Sequence, residues 1–154
     1  MKIFLGADHR GFDLKEKIKE WLKDKGRQVE DLGAYTLDPS DDYPDFAFAV
    51  AAKVANDPEH DRGVLFCGSG VGMDIAANKF KSIRATVVGS AEAAEHARSH
   101  DDVNIISLAA DWIPPEAAGK VIQSFLDTPF SGEERHARRL MKIQEAEKKN
   151  FRHD

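Results

Sequence analysis

Short continuous apolar runs alternate along this chain with stretches whose apolar positions recur every three or four residues. The stretch from Lys2 to Ala7 predicts a buried first strand, ending at Asp8-His9-Arg10-Gly11. Phe12, Leu14, Ile18, Trp21 and Leu22 then follow at helical spacing, with Gly26 as a stop. Val29 to Leu32 predicts a short second strand, and residues 33–45, with Gly33, Pro39 and several aspartates, a loop. A helix rich in Ala and Phe is expected over 46–55, and the loop 56–62 leads to a strand closing on Cys67. Further strands are expected at 84–88 and 103–108, and helices at 91–99 and from Pro114-Pro115 through Leu126. Residues 133–151 read as a charged helix with a narrow apolar stripe of Leu140, Met141, Ile143 and Ala146.

That alternation predicts an α/β fold with three layers, a doubly wound, Rossmann-like parallel sheet of about five strands with helices on both faces. No repeat or linker interrupts it, so residues 1–154 read as one domain. The narrow stripe on 133–151 suits packing across a subunit interface or on its own domain. Ligands of such sheets lie at the carboxyl ends of the strands. Asp8-His9, Cys67 to Gly72, Gly89-Ser90 and Asp111 fall there. His100 precedes its strand and belongs at the opposite edge. It can reach a Cys67 site only by a loop excursion or from a second subunit.

The most informative stretch is 63–80, where the apolar run Val64 to Phe66 meets Cys67 and then Gly68, Gly70 and Gly72 at alternate positions. Strand, tight loop and helix follow from that pattern. Such a loop can aim several backbone N–H groups at one anion, and a helix N-terminus behind it adds partial positive charge. The same field is expected to lower the thiol pKa of Cys67 and favour a thiolate base or nucleophile. A P-loop is excluded because Lys79 lies too far along, and the dinucleotide pattern fails because Met73 stands where its third glycine is needed. A plain turn between strand and helix also fits the glycines.

Composition narrows the class. A net charge of −5 argues against nucleic acid or anionic membrane as the main partner, and a 42% hydrophobic share suffices for a core. One cysteine permits no internal disulfide, the initial apolar run is too short for a signal peptide, and no run has transmembrane length. A soluble cytoplasmic protein is the expectation. In the last segment Arg135, His136, Arg138 and Arg139 crowd a helix start, where a bound anion or the neighbouring Glu133 and Glu134 would balance them.

Seven motifs together carry a family resemblance: Gly-Ala-Asp-His-Arg-Gly at 6–11, Asp-Tyr-Pro at 42–44, Cys-Gly-Ser-Gly-Val-Gly at 67–72, Ala-Asn-Lys at 77–79, Ile-Arg-Ala at 83–85, His-Asp-Asp-Val-Asn at 100–104 and Glu-Arg-His-Ala-Arg-Arg at 134–139. In that order they resemble the ribose-5-phosphate isomerase B family, which includes the galactose-6-phosphate isomerase subunits. The resemblance implies an aldose-ketose isomerase of the pentose phosphate type, without metal or cofactor. It implies a homodimer, or a tetramer, whose sites are shared between subunits, with the last helix at the interface. Cys67 would be the base, and Gly68, Gly70, Val71 and Gly72 would hold the enediolate. Ser69, where the family usually has threonine, would shuttle a proton between the substrate oxygens. His100 would open the sugar ring, Asp8 and Tyr43 would bind sugar oxygens, and His9, Arg135 and Arg139 would hold the phosphate. Asn78 and Asp101 join the substrate contacts by their motifs. His60, His96, His136 and His153 are expected at the surface.

Two departures bear on the substrate. The family's strand 104–108 is typically followed by a Gly-x-Arg whose arginine binds phosphate, and Ala109-Ala110-Asp111 stands there instead. Asp101 occupies a position commonly asparagine. Both predict a weakened phosphate clamp or another sugar, of four to six carbons or without phosphate. A non-catalytic anion- or nucleotide-binding module on the same fold is the alternative of another class.

Overall fold

The structure is a computed structural model, and it describes residues 1–151. The apolar runs become β1 (Ile3–Ala7), β2 (Val29–Asp31), β3 (Arg62–Cys67), β4 (Ala85–Val87) and β5 (Ile105–Ala109), paired in parallel in the order β2-β1-β3-β5-β4. The periodic stretches become α1 (Phe12–Asp24), α2 (Tyr43–Val54), α3 (Val71–Ala77), α4 (Ala91–Asp101), α5 (Pro115–Asp127) and α6 (Glu134–Asn150). One apolar layer joins α1, α4 and α5 to the sheet through Leu14, Ile18, Ala94, Ile122 and Phe125. The other seats α2 and α3 through Val50, Ala51, Met73 and Ala77. β1 and β3 are buried throughout because both their faces are covered, whereas the edge strands β2 and β4 are half-buried.

The register decides where the site forms. Ala7 pairs with Phe66, and Cys67 with Ala109, so β1, β3 and β5 end at nearly one level. Sheet order reverses between β1 and β3, the position at which an open α/β sheet leaves a crevice. Gly11 closes that crevice from below. A Cβ there would run into the Phe66 carbonyl, so only glycine lets the β1 turn lie against the end of β3.

Several boundaries differ from the periodic reading, among them those of α2, β3, α4 and β5, which runs from Ile105 to Ala109 instead of 103–108. α2 starts at Tyr43 instead of 46, since Pro44 fits the first turn of a helix, where no N–H is needed. β3 takes in Arg62 and Gly63, and α4 continues through His100 to Asp101. Asp102 ends α4 in the left-handed region (φ 46°), held by Arg84 and Arg98 at 2.7 Å each. Among the described residues no helix is long and apolar enough to cross a membrane.

Candidate active site

Four turns meet at the carboxyl edge. After β1, the buried Asp8 accepts the Arg10 and Gly11 N–H groups through Oδ1 at 3.0 and 3.1 Å, which starts α1 and leaves its carboxylate beside the crevice. His9 donates its backbone N–H to Asp41 Oδ1 at 2.9 Å, and its Nδ1 lies 2.7 Å from the same oxygen. That hydrogen bond, helped by the Asp8 charge, holds the His9 pKa above its ordinary value against the lowering effect of burial. His9 is thereby favoured as a cation, with its ring orientation set by Asp41. Asp8, His9 and Asp41 could together hold a metal ion, and Asp41 Oδ2 is buried without a hydrogen-bond partner among the described residues. The His9 ring and the amides of the turn already occupy one oxygen of each carboxylate.

After β3, Cys67 is 5% exposed and its Sγ accepts the Gly70 N–H at 3.1 Å. Gly70 adopts φ 79°, a left-handed turn that costs glycine least, and its carbonyl accepts Ser107 Oγ from β5 at 2.7 Å. Ser69 Oγ accepts the Val71 N–H at 3.3 Å, a long bond that a ligand oxygen could replace. Two of the N–H groups expected to face an anion, those of Gly70 and Val71, are thus turned onto Cys67 and Ser69. The Tyr43 ring lies directly on Gly72, where a Cβ would come within 2.6 Å of Cζ. That glycine admits the phenol to the crevice wall. Asp111, the residue read as opposing a phosphate, sits over Gly68 and is paired to Arg10.

The other expected residues gather elsewhere. α4 starts after the carboxyl end of β4 and runs back along the sheet, so His100 lies near the amino edge. Its ring stacks between His96 and His136, at centroid distances of 4.0 and 4.2 Å. Burial, then the neighbouring His96, His136 and Arg135, push the His100 pKa below its ordinary value, with Asp101 opposing. His136 is 3% exposed and bonded to Ser131 Oγ at 2.7 Å, so the surface assignment of His136 is corrected. Its periodicity on a charged helix concealed a contact made from another element. His60 and His96 are exposed as expected, and His153 lies outside the described residues. Arg135 pairs with Glu133 at 3.0 Å and Arg138 with Glu134 at 2.9 Å, whereas Arg139 is exposed with no ion pair among the described residues. Asp101 is exposed beside His100.

Asn78 has a structural task. Its amide donates to Asp74 Oδ1 and the Ala85 carbonyl at 2.9 Å each and accepts the Ala85 N–H at 2.8 Å, fastening α3 to β4. No hydrogen bond or ion pair among the described residues joins the Cys67 group to the His100 group.

Residues 3–143 match the family described as Ribose/Galactose Isomerase. The chain belongs to that family. Ribose-5-phosphate isomerase B of Mycolicibacterium paratuberculosis is 37% identical over 148 residues, covering 96% of this chain and 92% of the relative. The crystal structure of ribose-5-phosphate isomerase B from Mycoplasma genitalium with bound ribulose-5-phosphate is 44% identical, with TM-score 0.93 over 97% of both chains. The type B ribose 5-phosphate isomerase from Trypanosoma cruzi is 39% identical, with TM-score 0.91, over 97% of this chain and 100% of that one. Within the ribose/galactose isomerase fold, periodicity and motif reading missed Asp41 behind His9, Ser107 beneath the glycine loop and Arg10 against Asp111. All three act through contacts between distant segments. Two of them had a signal nearby: Asp41 stands beside Asp-Tyr-Pro, and Arg10 lies within Gly-Ala-Asp-His-Arg-Gly.

Proposed function

We propose that this chain is an aldose-ketose isomerase that interconverts ribose 5-phosphate and ribulose 5-phosphate through a cis-enediolate. The observation that carries this reading is the placement of Cys67: a nearly buried sulfur facing an N–H, walled by the Asp8 turn and Tyr43, in a chain superposing on the ribulose-5-phosphate-bound relative. Cys67, as thiolate, removes the proton from carbon 2 of the open-chain aldose, and the electron pair passes to the carbonyl oxygen on carbon 1. The N–H groups of the Gly68 to Gly72 loop that do not bond Cys67 stabilise that charge until the proton is returned to carbon 1. Ser69 carries the second proton between oxygens 1 and 2. Asp8 and Tyr43 hold sugar oxygens, and His9, whose charged form Asp41 favours, faces the phosphate.

The site is completed by a second copy of the chain. His100, Asp101, Arg135 and Arg139 lie together around one end of α4 and the start of α6, away from Cys67 in their own subunit. In the homodimer they enter the partner's crevice, where His100 opens the ring and the arginines close on the phosphate. A groove of ≈ 840 Å³ between β4, α4 and α6, walled by Ile83, Val87, Leu140 and Ile143, gives the interface an apolar floor. The described residues then form one domain with α6 at that interface, in a cytoplasmic enzyme. The test is the interconversion of ribose 5-phosphate and ribulose 5-phosphate in deuterium oxide. Turnover with solvent deuterium appearing in the product is expected. No turnover on aldose or ketose phosphates of four to six carbons would leave only an anion-binding role.

A further inference from the structure

We propose that Arg10 is a ligand of the substrate's phosphate and that Asp111 is the fixed counter-ion that parks it over the glycine loop. The proposal rests on the reading of the crevice as a sugar-phosphate site and names a specificity residue within it. Arg10 follows His9 directly, and its backbone N–H is held by Asp8 Oδ1 at 3.0 Å. The side chain therefore starts from a rigid point, yet it is 57% exposed. Its guanidinium crosses the crevice to Asp111. The pair lies flat on Gly68, since a Cβ there would come within 2.8 Å of Arg10 Nε and 2.9 Å of Asp111 Oδ2. Both charges consequently sit on the first residue of the loop that follows Cys67.

The two partners differ in freedom. Asp111 is tied down by its own N–H to the Gly68 carbonyl at 3.1 Å and by the Ala110 N–H to the Cys67 carbonyl at 2.8 Å. Among the described residues Arg10 has only its carboxylate contact at the tip. An exposed ion pair contributes little, whereas a guanidinium binds a phosphate dianion through parallel, charge-assisted hydrogen bonds. An arriving phosphate therefore draws Arg10 off Asp111, or is bridged by it, beside His9. The pair also explains how a carboxylate is tolerated there. Left bare, Asp111 would repel the phosphate, and Arg10 both cancels that charge and supplies a cation. Phosphate recognition is thereby drawn to the turn after β1.

Kinetics of Arg10→Ala, Arg10→Lys, Asp111→Asn and the Arg10→Ala/Asp111→Asn double variant on ribose 5-phosphate, with inorganic phosphate as competitive inhibitor, test this. Arg10→Ala should raise KM and the phosphate inhibition constant by roughly 10- to 150-fold, the loss of one charged hydrogen-bonding partner, with kcat changed far less. Arg10→Lys should recover part of that loss. Asp111→Asn should tighten phosphate inhibition. The double variant should remain at least tenfold weaker than Asp111→Asn alone, because Arg10 binds the anion in addition to screening Asp111. Equal constants for those two variants, or unchanged KM and phosphate inhibition in Arg10→Ala beside an active wild type, would overturn the proposal alone. A wild type that neither turns over ribose 5-phosphate nor is inhibited by phosphate would overturn the underlying reading as well.

Discussion

The two edges of the sheet treat their histidines in opposite ways. At the carboxyl edge His9 is bonded to Asp41 and faces Asp8, so carboxylates favour its charged form. At the amino edge His100 is stacked between two further imidazoles near Arg135, so burial and cationic neighbours favour its neutral form. A cation suits a phosphate, and a neutral imidazole that can pick up and release a proton suits ring opening. In the proposed enzyme each edge holds half of the catalytic constellation. The fold keeps the halves apart in one chain, so in the proposed enzyme only assembly brings them together.

The largest effect should come from the base. Cys67→Ala is expected to lower kcat by about 10³-fold or more, at the upper part of the range for general base catalysis. Loss of the sulfur leaves the Gly70 N–H without its acceptor, a cost of about 1 kcal/mol that the fold should survive. Unchanged turnover in a folded Cys67→Ala protein would remove Cys67 from the mechanism.

His100→Ala should have a smaller and more selective effect. Ribose 5-phosphate is mostly cyclic and needs its ring opened, whereas ribulose 5-phosphate, with its oxygen 5 phosphorylated, is open. The variant should lose about 10²-fold on ribose 5-phosphate, yet still exchange the carbon 1 proton of ribulose 5-phosphate with solvent at a substantial fraction of the wild-type rate. Equal losses in both assays would make His100 a structural residue instead of the ring-opening group.

The smallest effects are titrations, and they carry opposite signs. Proton NMR of the imidazoles should place His9 above 6.5 and His100 below it. The His9 contribution to stability is present below pH 6.5 and is lost as pH rises through its raised folded pKa. His100 works the other way: its folded form resists the proton, so stability falls as pH drops below 6.5 toward its lowered folded pKa. Asp41→Asn should bring His9 back toward its ordinary value and leave His100 unmoved. A common shift of both histidines would contradict the separation of the two edges.

Much of this was legible in the chain because periodicity records burial. The runs ending at Ala7 and Cys67 are buried on both faces and read directly as central strands, and the alternate glycines 68, 70 and 72 marked the loop after β3 and the first turn of α3. The placement of His100 at the far edge also followed from order alone, since a helix between parallel strands must run back along the sheet. Contacts between distant segments left no such record. Arg10 with Asp111, His136 with His100 and Ser107 with Gly70 join residues far apart in the chain or on separate elements, and no spacing rule predicts them. Asn78 shows the complementary case: a residue inside a matched motif can also serve the scaffold, as its bonds to Asp74 and Ala85 do.

Subunit mixing tests the shared site most directly. Cys67→Ala and His100→Ala proteins, each impaired on ribose 5-phosphate, would be combined under conditions in which subunit exchange is followed with distinguishable tags. Each mixed dimer would contain one site with both Cys67 and His100 intact. Activity should rise toward about one quarter of the wild-type value, because half the dimers are mixed and half their sites are whole. Demonstrated exchange with no gain in activity would contradict a site built from both chains.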